Sequence, residues 1–260
     1  MNGFILHLQG PMMSFADTGF GQLREAGPFP SRSVVLGIIA AALGLERGDT
    51  RLLDLHQRMR VHVGTARAGT LLVDYHTVLP TGYGAYDPTR LRRPGAEGNP
   101  VLTDRGYHVD SHFVALISSD DGPMIDDCRA ALHNPIFTGY LGRRSCVPST
   151  PLIPEDASGP TVIDALSHPL WSAHQGRIEK LPPWERRRQK RAHVDAFIDG
   201  DAVDQPEQCS ATIIAKTFRR DLLNAVPRSY VTRPVTHVRI AVPTEVDATN
   251  TTEEYFDAAP

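Results

Sequence analysis

Apolar residues are spaced along this chain in two rhythms, and the longest run is Val34 to Leu45. Val34, Val35, Ile38, Ile39, Ala42 and Leu43 recur at three- and four-residue intervals, which predicts a buried helix. Phe29-Pro30-Ser31-Arg32-Ser33 leads into it: Pro30 forbids helix behind it, and Ser31 and Ser33 are good N-caps. Gly44 suits a left-handed helix end. Gly3 to Gln9 reads as an opening strand stopped by Gly10-Pro11, and Met12 to Pro28 as an irregular loop. Gly48-Asp49-Thr50 opens a second, shorter helix. Val61 to Gly64 and Leu71 to Leu79 have strand character, which resumes at Tyr107 to Ser118. Met124, Cys128 and Leu132 recur every four residues in a third helix, Pro123 to Leu132, which Asn134-Pro135 ends.

Between the strands, Pro80 to Gly106 is dense in glycine and proline and holds Arg90, Arg92, Arg93 and Arg105. Strand character on both sides predicts a hairpin arm standing off the sheet. The order strand, helices, strands, arm, strand, helix predicts an α+β protein with a ferredoxin-like, RRM-like domain over residues 1–147, the arm (80–106) inserted in it. A Pro/Ser-rich linker follows at 148–160. Residues 161–245 form a small β-rich C-terminal part, with strands at Val194–Ile198, Ala211–Ala215 and Val235–Val242, and 246–260 an acidic tail. An RRM-like order implies RNA binding in some proteins and quite other functions elsewhere.

Composition narrows the picture. Hydrophobic residues make up 41% and charged residues 22%, as in an ordinary soluble globular protein. No stretch has the ~18 apolar residues of a membrane span, and no basic region precedes the apolar N-terminus, so no membrane role or secretion is expected. Cys128, Cys146 and Cys209 lie far apart, which fits free thiols in a cytoplasmic protein and gives no zinc spacing. The net charge of -3 is uneven. Residues 241–260 hold five acids and no base, leaving 27 basic against 25 acidic residues, a net +2, over residues 1–240. All but three of the basic residues are arginines, whose planar fork suits phosphate and base edges; a GC-rich genome gives the same bias.

Three features carry chemistry. The start of the Val34 helix offers free N–H groups, two hydroxyls and Arg32 to an anion, although the same residues also describe a capped core helix with a surface arginine. Thr138-Gly139-Tyr140-Leu141-Gly142-Arg143-Arg144-Ser145-Cys146 puts a stacking tyrosine and an arginine pair on a glycine-rich turn. Trp184 to Arg191 packs five basic residues into eight, a possible RNA contact or a solvated face. Dinucleotide, P-loop and serine-hydrolase motifs are absent, and no cofactor or metal is expected. Metal-independent RNA cleavage needs a base, an acid and a cation, and His76, Tyr107, His108 or His112 with an arginine are the candidates.

Gly10-Pro11-Met12, Phe29-Pro30-Ser31-Arg32-Ser33 with Leu36-Gly37, Asp74-Tyr75-His76-Thr77-Val78-Leu79, and Tyr140 to Cys146 together resemble the CasD family, the fifth-numbered Cas family, in its type I-E Cascade form. The resemblance covers roughly residues 3–152 and weakens beyond. It implies a non-catalytic subunit of a CRISPR surveillance complex, with an RRM-like domain, a β-hairpin thumb and a small β-rich C-terminal part. Such a subunit grips the 5′ handle of the crRNA and caps the helical backbone. Its partners would be the repeated backbone subunit, the large PAM-reading subunit and the crRNA, with target DNA read indirectly by base pairing. The competing class is an endoribonuclease acting on CRISPR repeat RNA, as in type I-C relatives. For handle binding the resemblance and the chemistry select Arg24, Arg32 and Ser33 by the first helix, Arg105 and His108 where the arm rejoins the sheet, and Tyr140, Arg143, Arg144 and Ser145 on the turn. Arg90, Arg92 and Arg93 belong to the thumb that reaches a neighbouring subunit.

Overall fold

The computed structural model describes residues 2–20, 23–78, 101–185, 193–200, 211–224 and 229–241. Most of the expected arm, with Arg90, Arg92 and Arg93, lies outside them, as do residues 186–191 of the basic run and the 246–260 tail.

Six elements form the centre: β1 (Gly3–Gln9), α1 (Arg32–Ala42), β5 (Arg60–Arg67), β8 (His112–Ser118), α3 (Gly122–His133) and β9 (Glu155–Asp156). Their strands lie side by side as β9-β1-β8-β5, every pair antiparallel. That is the fourth-first-third-second order of a ferredoxin-like, RRM-like sheet. A second helix, α2 (Arg51–Arg58), lies between α1 and β5.

Strand alternation explains the layering. Phe4, Leu6 and Leu8 of β1 and Phe113, Ala115 and Ile117 of β8 face α1 and α3, while Ile5, Val114 and Leu116 face the other way. On the first side α1 buries Val35, Leu36, Ile38 and Ile39, each worth about 1.5–3 kcal/mol. Leu43 closes the helix and Gly44, at φ 71°, turns the chain away. Asp121 caps α3 by accepting from the Met124 N–H at 3.2 Å.

One expectation needs correction. Met12 to Pro28 is not irregular: it holds β2 (Met12–Met13), β3 (Ala16–Phe20) and β4 (Leu23–Ala26). These join β6 (Thr70–Val78) and β7 (Val101–Val109) in a second sheet. β6 and β7 pair in continuous antiparallel register from Thr70↔Val109 to Val78↔Val101, so the chain leaves and re-enters between β5 and β8 as a paired ribbon. The residues from Tyr107 to Ser118 are two strands, bent apart at Asp110 (φ 57°).

The C-terminal part is β-rich, and its strands join the central sheet. β10 (His193–Asp199), β12 (Ser229–Ala241) and β11 (Ala211–Asn224) extend the central sheet from its β5 edge to seven strands. Ahead of them stands a helix absent from the sequence reading, α4 (Val162–Ile178), begun by a capping box between Thr161 and Asp164. Its Ile163, Leu166 and Leu170 cover the sheet face opposite α1. Contact is close: a Cβ on Gly64 would sit 2.3 Å from Leu170 Cδ1. The broad sheet face on which RRM proteins stack RNA bases is therefore sealed by a helix in this fold.

Candidate nucleic-acid interface

With the sheet face closed, a candidate interface is sought on a rim, and the glycine turn forms one. Gly142 adopts φ +93°, and a Cβ there would fall 1.8 Å from Ser14 O, so only glycine fits. The Ser14 N–H donates to Leu141 O at 3.0 Å, and Leu141 is fully buried. Leu141 N–H donates to Cys146 O at 2.8 Å and Cys146 N–H to Arg143 O at 2.8 Å, closing the turn. Locked this way, the turn leaves Arg144 and Ser145 exposed and Tyr140 40% exposed.

Arg143 is held inward. Its guanidinium lies over the Tyr107 ring, 4.7 Å from the centroid, and donates to the Tyr107 hydroxyl. Arg105 shares a face of β7 with Tyr107 by strand alternation, and its Nε donates to Thr103 Oγ1 at 3.2 Å. The fold thus groups Arg105, Tyr107 and Arg143. The parallel register of β4 on β7 sets the Arg24 backbone beside Arg105.

Ser33 is exposed at the start of α1. A cleft of about 180 Å³ runs from it along Val34, Gly37 and Ile38, with Gly139 and Tyr140 of the turn as the facing wall. Past Gly139 it meets a larger apolar groove of about 470 Å³ between Ile38, Leu132, Val147 and Leu152.

Two predicted site residues are corrected. Arg32 faces inward: Nε is 3.2 Å from Asp199 Oδ2, and Nη2 donates to His56 O and Met59 O. Its side chain is 9% exposed, so its donors serve the fold rather than a phosphate. Asp199 also accepts from the Val61 N–H at 3.3 Å, and its own N–H donates to His62 Nδ1 at 3.1 Å. Phe29 stacks on Phe197 at 3.6 Å, so the residues before α1 anchor the C-terminal strands. His108 is the second correction. It is buried against Phe15 and Phe113 and pairs through Nε2 with Gly27 O at 2.6 Å. Desolvation lowers its pKa, favouring the neutral ring.

The candidate cleavage groups are dispersed. Tyr107 is held by Arg143, His108 by Gly27, and His76 stands opposite Thr103 on β6. His112 lies 3.0 Å from His7 through its Nε2, and burial, then His7 and Arg67, push its pKa down to about 4. Among the described residues no group of three or more His, Cys, Asp or Glu is placed to hold a metal, and no helix is long and apolar enough to cross a membrane.

Strand order and layering define a ferredoxin-like, RRM-like α+β protein. The family described as CRISPR-associated protein (Cas_Cas5) matches residues 3–204, and the chain belongs to it. The CRISPR system Cascade subunit CasD of Escherichia coli (strain K12) is 36% identical over 155 residues, 57% of this chain and 68% of the relative. A chain of a solved CRISPR RNA-guided surveillance complex has a TM-score of 0.62 at 27% identity, covering 93% of this chain and 91% of that one. The crystal structure of a Cas protein, at 20% identity and TM-score 0.53, shares the fold over 92% of this chain and 95% of its own.

Proposed function

We propose that this protein is the Cascade subunit that holds the 5′ handle of the crRNA and caps one end of the backbone, without catalysis of its own. The observation that carries this is the glycine turn: Gly142, fitted against Ser14, presents Arg144 and Ser145 outward beside the cleft at Ser33 and Tyr140. Cation, hydroxyl and aromatic ring on one rigid rim suit a single strand, whose phosphates and splayed bases need these groups together. Arg143 acts through Tyr107 to brace the turn, and Arg105 extends the basic rim along β7, with Arg24 its backbone neighbour on β4.

The neighbouring backbone subunit and the large PAM-reading subunit are the protein partners in this reading, and target DNA is met only through the guide. Apolar side chains left in water support such partners: Ile136, Phe137, Val147 and Ile153 by the groove, and Leu71, Val73 and Tyr75 on β6. Arg90, Arg92 and Arg93 remain candidates for the thumb's contact. Cys128 and Cys146, free and buried, fit a cytoplasmic setting.

The test is co-purification of tagged protein with the neighbouring Cascade subunits and a guide RNA, with and without the 5′ handle. Handle-dependent incorporation is expected; equal incorporation without the handle would overturn the RNA-gripping role. A repeat RNA incubated with the purified protein and a chelator stays intact if the subunit only binds, and shortens if it is a ribonuclease.

A further inference from the structure

We infer that the cleft between α1 and the glycine turn is a pocket for one unstacked nucleobase of the bound RNA, kept open by Gly37; the inference rests on the RNA-binding reading above. Gly37 lies in the interior of α1, where glycine is a poorer helix former than alanine. Packing within the chain does not explain it: a Cβ built at Gly37 meets nothing within 4 Å among the described residues. The position is exposed and opens onto the cleft, so the missing side chain leaves room for something outside the chain.

The lining says what that is. Its lining brings together Ser33, Tyr140 and the apolar residues Val34, Ile38 and Ala41 with three glycines, and no charged residue. A phosphate would be poorly served there, because it seeks guanidinium forks or converging N–H groups. A heterocycle is well served: it has a face to stack on Tyr140 and an edge for the Ser33 hydroxyl. At about 180 Å³ the cleft is smaller than the ~300–1,000 Å³ sites that enclose whole small molecules. Arg144 and Ser145, exposed just beyond the turn, are left for the adjoining sugar-phosphate backbone.

The experiment uses the full-length protein and the repeat-derived 5′ RNA segment as a single strand, intact or with each nucleotide in turn made abasic. Affinities are measured for wild type, Gly37→Ala, Gly37→Leu, Tyr140→Phe and Tyr140→Ala, with a melting curve for each. We expect one abasic position to weaken wild-type binding at least tenfold. Gly37→Leu should bind intact RNA about tenfold more weakly and no longer distinguish that abasic strand. Gly37→Ala should melt at or above the wild-type temperature, which separates a blocked pocket from a damaged fold. Tyr140→Phe should bind normally, and Tyr140→Ala should lose roughly five- to a hundredfold. Intact-RNA affinity within twofold of wild type for both Gly37 variants would overturn the pocket, as would equal tolerance of every abasic site. Normal RNA binding by Gly37→Leu with poorer recovery of neighbouring subunits would assign the cleft to a protein side chain and overturn it too. Failure of wild type to bind the RNA at all is a separate result, which removes the RNA-binding reading and the pocket with it.

Discussion

Arg32 Nε sits 3.2 Å from Asp199 Oδ2, joining the first turn of α1 to the end of β10 with both side chains almost fully buried. Removing one member of such a pair strands the other in a low dielectric. Arg32→Ala should destabilise the protein by about 3 kcal/mol, the lower end for a buried pair, because Arg233 stays 3.4 Å from Asp199. Urea denaturation reads this directly. At temperatures where the variant is folded, the salt dependence of its RNA affinity should match wild type; a shallower dependence would return Arg32 to the phosphate contacts.

Arg144 is the opposite case, an exposed arginine beside the cleft. Arg144→Ala should leave the melting temperature unchanged and reduce the slope of log affinity against log salt by about 0.7, one phosphate on a single strand. The double variant Arg143→Ala with Arg144→Ala should also lose stability, since it removes the cation over Tyr107. An unchanged slope in both would take the turn out of the interface.

Gly142→Ala puts a methyl group against Ser14 O in a left-handed backbone. The turn must then open, and a loss of at least 1–3 kcal/mol is expected, with RNA affinity falling alongside. Comparison with Gly37→Ala is informative because the stability changes should differ in sign. A Gly142→Ala protein as stable as wild type would show that the turn is not braced on Ser14.

Acid should destabilise this fold earlier than its carboxylates alone require. His62 is wholly buried, and desolvation, then Arg60 and Arg32, lower its pKa to about 3; His112 falls to about 4. Both are neutral in the fold and titrate near 6.5 when unfolded, so the unfolded chain takes up protons first. Their contribution is complete above about pH 6.5 and declines as pH falls toward 4 and 3, by up to about 1.4 kcal/mol per unit for each ring. Urea midpoints at pH 7, 6 and 5 should fall in that order, and less steeply in His112→Gln. A flat profile would mean that these rings are solvated.

Much of the fold could be read from residue spacing. The α1 periodicity, the Asn134-Pro135 stop after α3 and the alternation through β1 and β8 are local signals, and together they gave the RRM-like order. What escaped was set by distant partners. Arg32 reads as a surface cation until Asp199 is brought beside it by a strand far along the chain. His108 and Arg105 lie an odd number of residues apart, and in a strand that puts them on opposite faces. α4 was missed because Pro169 interrupts it, yet Thr161 and Asp164 spell a capping box ahead of Ile163, Leu166 and Leu170. In the candidate site, Tyr140 and Arg144 were legible as exposed groups on a glycine turn. Tyr107 was noted only as a cleavage candidate, and its role as the platform for Arg143 depends on a contact between separate elements.

The paired ribbon of β6 and β7 leaves the central sheet after β5 and returns at β8, holding itself together from Thr70↔Val109 to Val78↔Val101. The two strands support each other along their whole paired length, so the ribbon is held by its own ladder as well as by the sheet it springs from. Closing a longer loop on such a stem costs only about 0.6 kcal/mol per doubling of its length. Chain length at the Val78–Val101 end of the ribbon is therefore inexpensive to change. It can change while the sealed sheet and the rim around Gly142 stay as they are.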